Sequence, residues 1–272
     1  MKKRKVFVLL VICLMTVALF TACGNDDGAE LSAVEIIAKS AEAMDEVGSF
    51  ASTMETVMEM TVEGEFIIIN MSSDIVMNVD PLQMSMRSTM LIPGFEEPMD
   101  MDMYMFHEGD DLVTYMYVMG QWMTQTTPFS EELWNELAQT QSVQQIYELL
   151  TSAEILGEET VNGVRSWKIE VTMSGDAMYE LMVEMIEDMA GMFDADMFAE
   201  MGDMTYTLWV AQDTFYQVRM VMDMTDMMAQ MMEELGAEFS KMLITMDSFD
   251  FGTAPEITLP AGAANAIETI LF

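Results

Sequence analysis

Apolar residues recur at every second position through most of this chain. In residues 50–62, Phe50, Met54 and Met58 alternate with polar residues such as Thr53 and Glu55. This period is typical of a strand with one buried and one wet face. Similar runs occupy residues 66–79, 82–92, 99–106, 111–119 and 121–127, and turn residues lie between them. The pattern predicts an antiparallel meander of about six strands.

The same alternation returns in the second half of the chain. Residues 153–161 and 164–173 are separated by Asn162-Gly163, which is a strong hairpin signal. Further strands are predicted at 204–211, 215–225 and 238–251, after which Pro255 and Pro260 indicate an irregular edge. The whole chain therefore predicts about ten or eleven strands.

Helical spacing interrupts the strands at four places. Ser32 and Glu35 have the form of a capping box, and apolar residues three and four apart then predict a helix over 32–47 that Gly48 ends. Helical regions are also predicted at 130–150, 176–200 and 226–235. Since no long polar linker interrupts these elements, residues 32–272 are predicted to form a single α+β domain.

The first 23 residues have the pattern of an export signal. A basic stretch, Lys2 to Lys5, precedes a mostly apolar run from Val6 to Phe20 that is shorter than a membrane span. Thr21-Ala22-Cys23 then resembles a bacterial lipobox, although Phe20 stands where Leu is usual. We therefore expect a signal peptide at 1–22, with Cys13 removed along with it, and an acylated Cys23 followed by a flexible tether at 23–31.

Charge limits the possible partners of the mature chain. The net charge is −37, no acidic residue precedes Asp26, and four of the ten basic residues lie within the first five positions. A surface this acidic would repel a phosphate backbone, so the chain is not expected to bind nucleic acid. An apolar content of 51% excludes a disordered acidic tail, so the domain should be globular.

Two segments carry a family resemblance. They are Gly-Val-Arg-Ser-Trp-Lys-Ile-Glu-Val at 163–171 and Thr-Leu-Trp-Val-Ala-Gln-Asp-Thr-Phe-Tyr-Gln-Val-Arg-Met at 207–220. With the order of elements over 32–252, they resemble the LolA/LppX type of lipoprotein and lipid carrier, and related exported lipoproteins of unknown function in Gram-positive bacteria. Gln212 and Asp213 depart from the usual pattern because the acidic residue is shifted by one place.

The resemblance implies a strongly curved antiparallel sheet, an incompletely closed barrel whose concave face is covered by helices. It also implies an apolar cavity for acyl chains within that face. Strand phase supplies the residues that we expect to line such a cavity: Met58, Met60, Met84, Met86, Met101, Met103, Trp167, Ile169, Trp209, Met220 and Met222. Alternation alone does not distinguish a hollow interior from a filled one.

Methionine is the most unusual component of the composition. There are 36 Met residues, and all but Met1 and Met15 follow Cys23. A methionine-rich wall adapts to ligands of variable shape, but Met is also an ordinary filler of cores. Thioethers also favour Cu(I), and Met99, Met101 and Met103 form a Met-x-Met array. Residues two apart on a strand are about 7 Å apart, which is too wide for one ion unless neighbouring strands contribute.

No enzymatic motif stands out. His107 is the only His, and it lies beside Glu108-Gly109-Asp110-Asp111, where we expect a solvated hairpin loop rather than a general base. No serine-hydrolase, zinc-protease or phosphate-loop motif is present. The sequence therefore predicts no catalytic residue, no metal ligand set and no cofactor.

The function predicted from these patterns is the binding or transfer of a lipid or other amphiphile in a methionine-rich cavity, without catalysis. The protein is expected to be a monomer, anchored through acylated Cys23 on the extracytoplasmic face of the cell membrane, with an envelope protein as a possible partner. Two alternatives remain open. One is a Met-rich lipoprotein that binds Cu(I) or Ag(I), and the other is a ligand-free structural or sensor domain.

Overall fold

The computed structural model describes residues 31–62, 64–95, 97–129, 150–174, 203–233 and 237–268. Two α-helices lie in these ranges, α1 (Ala33–Asp45) and α2 (Thr225–Glu233). The first six strands are β1 (Ser49–Val62), β2 (Glu65–Asn78), β3 (Gln83–Leu91), β4 (Met99–Glu108), β5 (Asp111–Val118) and β6 (Gln121–Pro128). The others are β7 (Leu150–Val161), β8 (Val164–Met173), β9 (Met204–Ala211), β10 (Gln217–Asp223), β11 (Ala237–Phe249) and β12 (Ile267–Glu268).

All twelve strands belong to one curved, unclosed sheet. Its order is β12-β6-β5-β4-β3-β2-β1-β11-β10-β9-β8-β7, so it consists of two meanders that meet where β1 pairs with β11. Every pairing is antiparallel except that of β12 with β6, which is parallel. The predicted strands are confirmed, and β12 adds a short edge strand in the irregular tail.

Both predicted helices within the described ranges are present. Helix α1 begins directly after Ser32 and lies against β7 and β9, and α2 packs on β11. The predicted helical regions at 130–150 and 176–200 lie almost entirely outside the described residues. Coverage of the whole concave face by helices therefore stays a prediction, and α1 is the part of it that the structure describes.

The Asn162-Gly163 hairpin forms as predicted between β7 and β8. Both turn residues have positive φ, 51° and 84°, as a type I′ turn requires. Met119 and Gly120 adopt similar φ angles, 53° and 83°, between β5 and β6. These two-residue turns fix the register of their hairpins, and thus decide which side chains share a face of the sheet.

The register divides the sheet into two faces of different chemistry. One face, here called the methionine face, carries Met54, Met58, Met71, Met77, Met84, Met86, Met90, Met99, Met101, Met103, Met105, Met116, Met123, Met220, Met222, Met242 and Met246. The other, here called the charged face, carries Glu55, Asp74, Arg87, Asp102, Lys168, Arg219 and Asp247. The predicted alternation of apolar and polar faces is therefore observed across the strands.

The tightest packing lies at the β7–β10 end of the sheet. Ile169 and Val171 of β8 and Val210 of β9 are completely buried on the methionine face, at the end where α1 contributes the buried side chains of Ile36 and Ile37. A second buried cluster contains Val161, Trp209, Ala211 and Val218, with Val221 and Phe251 packed against it. Both faces are thus buried at this end, whereas the β3–β6 end is more open.

Candidate functional site

The candidate site is the part of the methionine face that β3, β4, β5 and β6 form. Four of the predicted lining residues lie here, and the register brings two of them directly opposite each other, Met86 with Met103. Met84 lies opposite Met105, and Met101 lies opposite Ser88. Directly opposed residues have Cβ atoms about 4.5–5.5 Å apart. The site is therefore built by neighbouring strands rather than by one strand alone.

The register adds methionines that the sequence prediction did not include. Met103 also lies opposite Met116, and Met116 lies opposite Met123, so one row of four methionines crosses four strands. A second row joins Met71, Met90 and Met99. Strand phase could have assigned each of these residues to the apolar face, but only the pairing shows which of them meet.

All nine methionines of this region are partly exposed: Met84, Met86, Met90, Met99, Met101, Met103, Met105, Met116 and Met123. None of them belongs to the buried core, whereas Ile169 on the same face has an exposed fraction of 0%. Apolar side chains that keep contact with solvent retain free energy that a ligand can recover by covering them. This end of the methionine face therefore has the character of an adaptable apolar surface.

The remaining predicted residues lie further along the sheet. Met58 is opposite Met242 and Ile69, and Met60 is opposite Ile67 and Phe239. Met220 is opposite Met246, and Met222 is opposite Ile244. These four residues share the methionine face, but they belong to β1 and β10 rather than to β3–β6.

Trp167 and Ile169 lie on the methionine face at its packed end. Trp167 is opposite Val210 and stacks on Phe215 with 5.5 Å between ring centroids, and Ile169 is opposite Leu208. Tyr206 also lies at this end, where burial raises its pKa to about 12 and its hydroxyl donates to Sδ of Met173 at 3.8 Å. The complete burial of Ile169 makes it a core residue in this structure.

Trp209 does not share the face of Met220 and Met222. It pairs with Arg219 and Lys168, while Leu208 beside it pairs with Met220. Its indole Nε1 donates to Oε2 of Glu159 at 2.9 Å, and its ring lies below the cations of Lys168 and Arg219 at 5.1 and 5.9 Å. The prediction that Trp209 lines the same wall is wrong. Trp209 shares its strand phase with Thr205 and Thr207, and only the end of β9, residues 208–211, is apolar in both phases.

Polar side chains on the methionine face satisfy one another. The hydroxyls of Ser52 and Ser248 lie 2.9 Å apart, and those of Ser73 and Ser88 lie 2.8 Å apart. All four residues are buried. Because each hydroxyl has a partner, the serines do not leave unpaired polar groups in the apolar surface.

The charged face carries a row of alternating charges across the sheet. Arg219 makes a two-pronged contact with Asp247, in which Nη2 lies 2.8 Å from Oδ2. Asp247 is followed across β1 and β2 by Thr53 and Asp74, and Nη2 of Arg87 lies 3.8 Å from Oδ2 of Asp74. Burial raises the pKa of Asp102, although the nearby Arg87 opposes this rise. These contacts stabilise the charged face and offer no apolar site.

The sequence predicted that His107 lies in a hairpin loop, and this is wrong, because His107 belongs to the end of β4. It pairs with Leu112, and its ring centroid lies 3.9 Å from that of Phe129. Over the ranges that the structure describes, no three His, Cys, Asp or Glu side chains are grouped as a metal site would require. Within the same ranges, no helix is both long enough and apolar enough to cross a membrane.

Solved structures similar to this chain include the following three proteins. LppX of Mycobacterium tuberculosis is 17% identical, with 83% of this chain and 97% of LppX covered and a TM-score of 0.47. LprF of Mycobacterium bovis is 12% identical, with 85% and 97% covered and a TM-score of 0.42. A putative outer membrane lipoprotein-sorting domain of Vibrio parahaemolyticus is 12% identical, with 81% and 92% covered and a TM-score of 0.22.

LppX and a lipoprotein-sorting domain, which are of the type that the sequence resembles, are among these similar structures. No curated protein matches the chain. One family model covers residues 32–267. Since that range is most of the 272 residues, the chain belongs to DUF6612, a family of unknown function.

Proposed function

We propose that this protein is an envelope lipoprotein that binds a lipid or another amphiphile against the methionine face, without catalysis. The observation that carries the proposal is the set of nine partly exposed methionines on one face of β3–β6. Packed cores bury such side chains completely, as they do Ile169. A flexible apolar wall that remains open is suited to acyl chains of variable length and shape.

The charges support a ligand bound by its apolar part. On β3 and β4 the charged side chains Arg87, Asp100 and Asp102 all lie on the charged face, which is the side of the sheet away from the methionines. An acyl chain on the methionine face would therefore meet no unpaired charge from these strands. The hydroxyl pairs of Ser73 and Ser88 add polarity without leaving an unsatisfied group.

The proposed anchor is Cys23. It follows Thr21-Ala22 and precedes the polar stretch Gly24-Asn25-Asp26-Asp27, which suits a cleaved and acylated terminus with a flexible tether. Acyl chains on Cys23 would hold this acidic protein at the extracytoplasmic face of the membrane. If the anchor exists, the wild-type protein partitions into the membrane fraction and Cys23→Ser moves it to the soluble fraction. Equal partitioning of both proteins would refute the anchor.

The ligand is tested on the Cys23→Ser chain, purified without detergent. Native mass spectrometry with organic extraction should show a co-purifying amphiphile in near-stoichiometric amount. The delipidated protein should then bind phosphatidylethanolamine that carries a fluorescent acyl chain. A clean protein mass together with no uptake of this probe would overturn the proposal.

The wall is tested by Met86→Gln with Met103→Gln. Covering the exposed part of a Met, at most about a third of its surface, contributes roughly 0.5–1 kcal/mol, and burying an unpaired amide costs about 1–3 kcal/mol. Each substitution should therefore cost at least about 1.5 kcal/mol, so the double variant should bind the fluorescent lipid at least roughly 100-fold more weakly, from about 3 kcal/mol. The matched control is Met119→Gln with Leu156→Gln, since these side chains are 82% and 49% exposed outside β3–β6. Equal weakening in both variants would refute the assignment of the wall.

A further inference from the structure

One row of the methionine face crosses four strands, whereas three other rows, Met71-Met90-Met99, Met77-Met84-Met105 and Met54-Met246-Met220, each cross three. Met86, Met103, Met116 and Met123 lie directly opposite one another on the four adjacent strands β3, β4, β5 and β6. Each neighbouring pair of Cβ atoms is about 4.5–5.5 Å apart. Since a Met side chain is unbranched and has three rotatable bonds, sulfur atoms of neighbouring residues can turn toward one point between them.

This arrangement removes the obstacle that spacing along one strand presents. Thioethers two residues apart on a strand, such as those of Met101 and Met103, stand about 7 Å apart. Across strands the separation is shorter, and Met103 has a methionine neighbour on each side. Met103 with Met86 and Met116 therefore offers three thioethers around one position, whereas Met123 lies beyond Met116.

The distribution of residue types also separates this row from ordinary packing. Where the same face is buried near α1, it carries Ile169, Val171, Leu208 and Val210, residues that are preferred in packed strands. Methionine dominates where the face is partly exposed. Packing alone explains the first region, but it gives no reason for four opposed methionines in the second.

The ligand atoms near this row select a soft cation. The row contains no carboxylate, since Asp100 and Asp102 of β4 lie on the charged face. Thioether sulfur binds Cu(I) and does not suit hard cations such as Mg²⁺ or Ca²⁺, which prefer oxygen. The net charge of −37 raises the local concentration of any cation near the protein.

We propose that Met86, Met103 and Met116 form a binding site for one Cu(I) ion. Ag(I), which has the same charge and a similar preference for thioethers, would occupy the same position. The proposal rests on the register of β3–β6 and is independent of lipid binding, although both sites use the same face. Binding involves no change in oxidation state when the metal is supplied as Cu(I).

The experiment is an anaerobic competition for Cu(I) between the Cys23→Ser chain and the chromogenic chelator bicinchoninate. Wild-type protein should remove one equivalent of Cu(I) from the chelator. Replacement of Met86, Met103 and Met116 by Leu should weaken binding at least 100-fold. The control replaces Met60, Met119 and Met222 by Leu, because Met60 and Met222 lie opposite Ile67 and Ile244, and Met119 occupies a turn. The control should bind as the wild type does.

Two outcomes would overturn the proposal. One is the absence of competition by the wild-type protein, and the other is equal weakening in the row variant and its control, which would indicate scattered thioether binding.

Circular dichroism checks that each variant folds. If the triple variant does not fold, Met103→Leu alone should weaken binding at least tenfold, because Met103 is the central ligand, and unchanged binding would count against the site. Leu preserves apolar area, so binding of the fluorescent lipid should persist in the row variant, and this separates the two proposals.

Discussion

Two identical truncations measure whether the methionine face is open or filled. Ile169→Ala removes a side chain that is completely buried near α1, while Ile75→Ala removes the same atoms from a partly exposed residue of β2, opposite Met86. The two substitutions delete equal numbers of carbon atoms from the same face of the sheet. Any difference between the losses in free energy of unfolding therefore reports how closely each residue is packed.

The expected magnitudes follow from burial. Three carbon atoms at about 0.8 kcal/mol each give a transfer cost of about 2.4 kcal/mol for Ile169→Ala, and the unfilled cavity raises this to about 3–4 kcal/mol. Ile75 is mostly buried but keeps some solvent contact, so at most about a third of the transfer cost is already absent, and solvent can enter the space that is left. Ile75→Ala should therefore cost about 1.6–2 kcal/mol.

The assay is urea denaturation of the Cys23→Ser chain, in which unfolding is monitored by intrinsic tryptophan fluorescence. The denaturation midpoint should fall much further for Ile169→Ala than for Ile75→Ala, with an unchanged dependence on urea concentration. A cost for Ile75→Ala within about 0.5 kcal/mol of that for Ile169→Ala would show that the methionine face is close-packed. That result would refute the open apolar wall and favour a ligand-free structural domain.

Three further predictions concern named contacts. Arg219→Lys removes the two-pronged contact with Asp247 and should cost about 1–2 kcal/mol in urea denaturation; a cost below about 0.3 kcal/mol would show that the pair adds nothing. Tyr206 ionises near 10.0 when unfolded, and burial raises its folded pKa to about 12, so stability should fall between these values by up to about 2.7 kcal/mol. Tyr206→Phe should flatten the loss between pH 10 and 12, and an unchanged slope would contradict the assignment. Ser73→Ala leaves the buried Ser88 hydroxyl unpaired and should lower the free energy of unfolding by about 1–3 kcal/mol. Replacing both serines by Ala should recover most of this loss, because no unpaired hydroxyl is then left. A loss in the double variant equal to the sum of the two single losses would contradict this pairing.

The sequence predicted the secondary structure of the described residues well, because local rules govern it. Alternation located the strands, and the Asn162-Gly163 turn has the positive φ values that its residue types favour. Helix α1 begins after Ser32, as the capping pattern indicated. Each of these signals depends on residues within a few positions of one another, so a single sequence contains them.

Only the tertiary structure shows which strands pair and in which register. The pairing of β1 with β11 joins residues such as Ser52 and Ser248, which no local pattern connects. The row of Met86, Met103 and Met116 likewise depends on the register of three strands, because strand phase assigns a face but not an opposite residue.

Trp209 lies on the charged face although it is a large apolar residue. Leu208, Trp209, Val210 and Ala211 are all buried, so this end of β9 is apolar on both faces, whereas Thr205 and Thr207 at its other end mark the phase of Trp209 as the polar one. The register with β10 is also shifted by a bulge between Gln217 and Arg219, which the sequence does not mark. The sequence by itself determined the strands and the apolar character of one face, since these depend on local spacing. The tertiary structure alone decided which methionines meet, since long-range pairing fixes register.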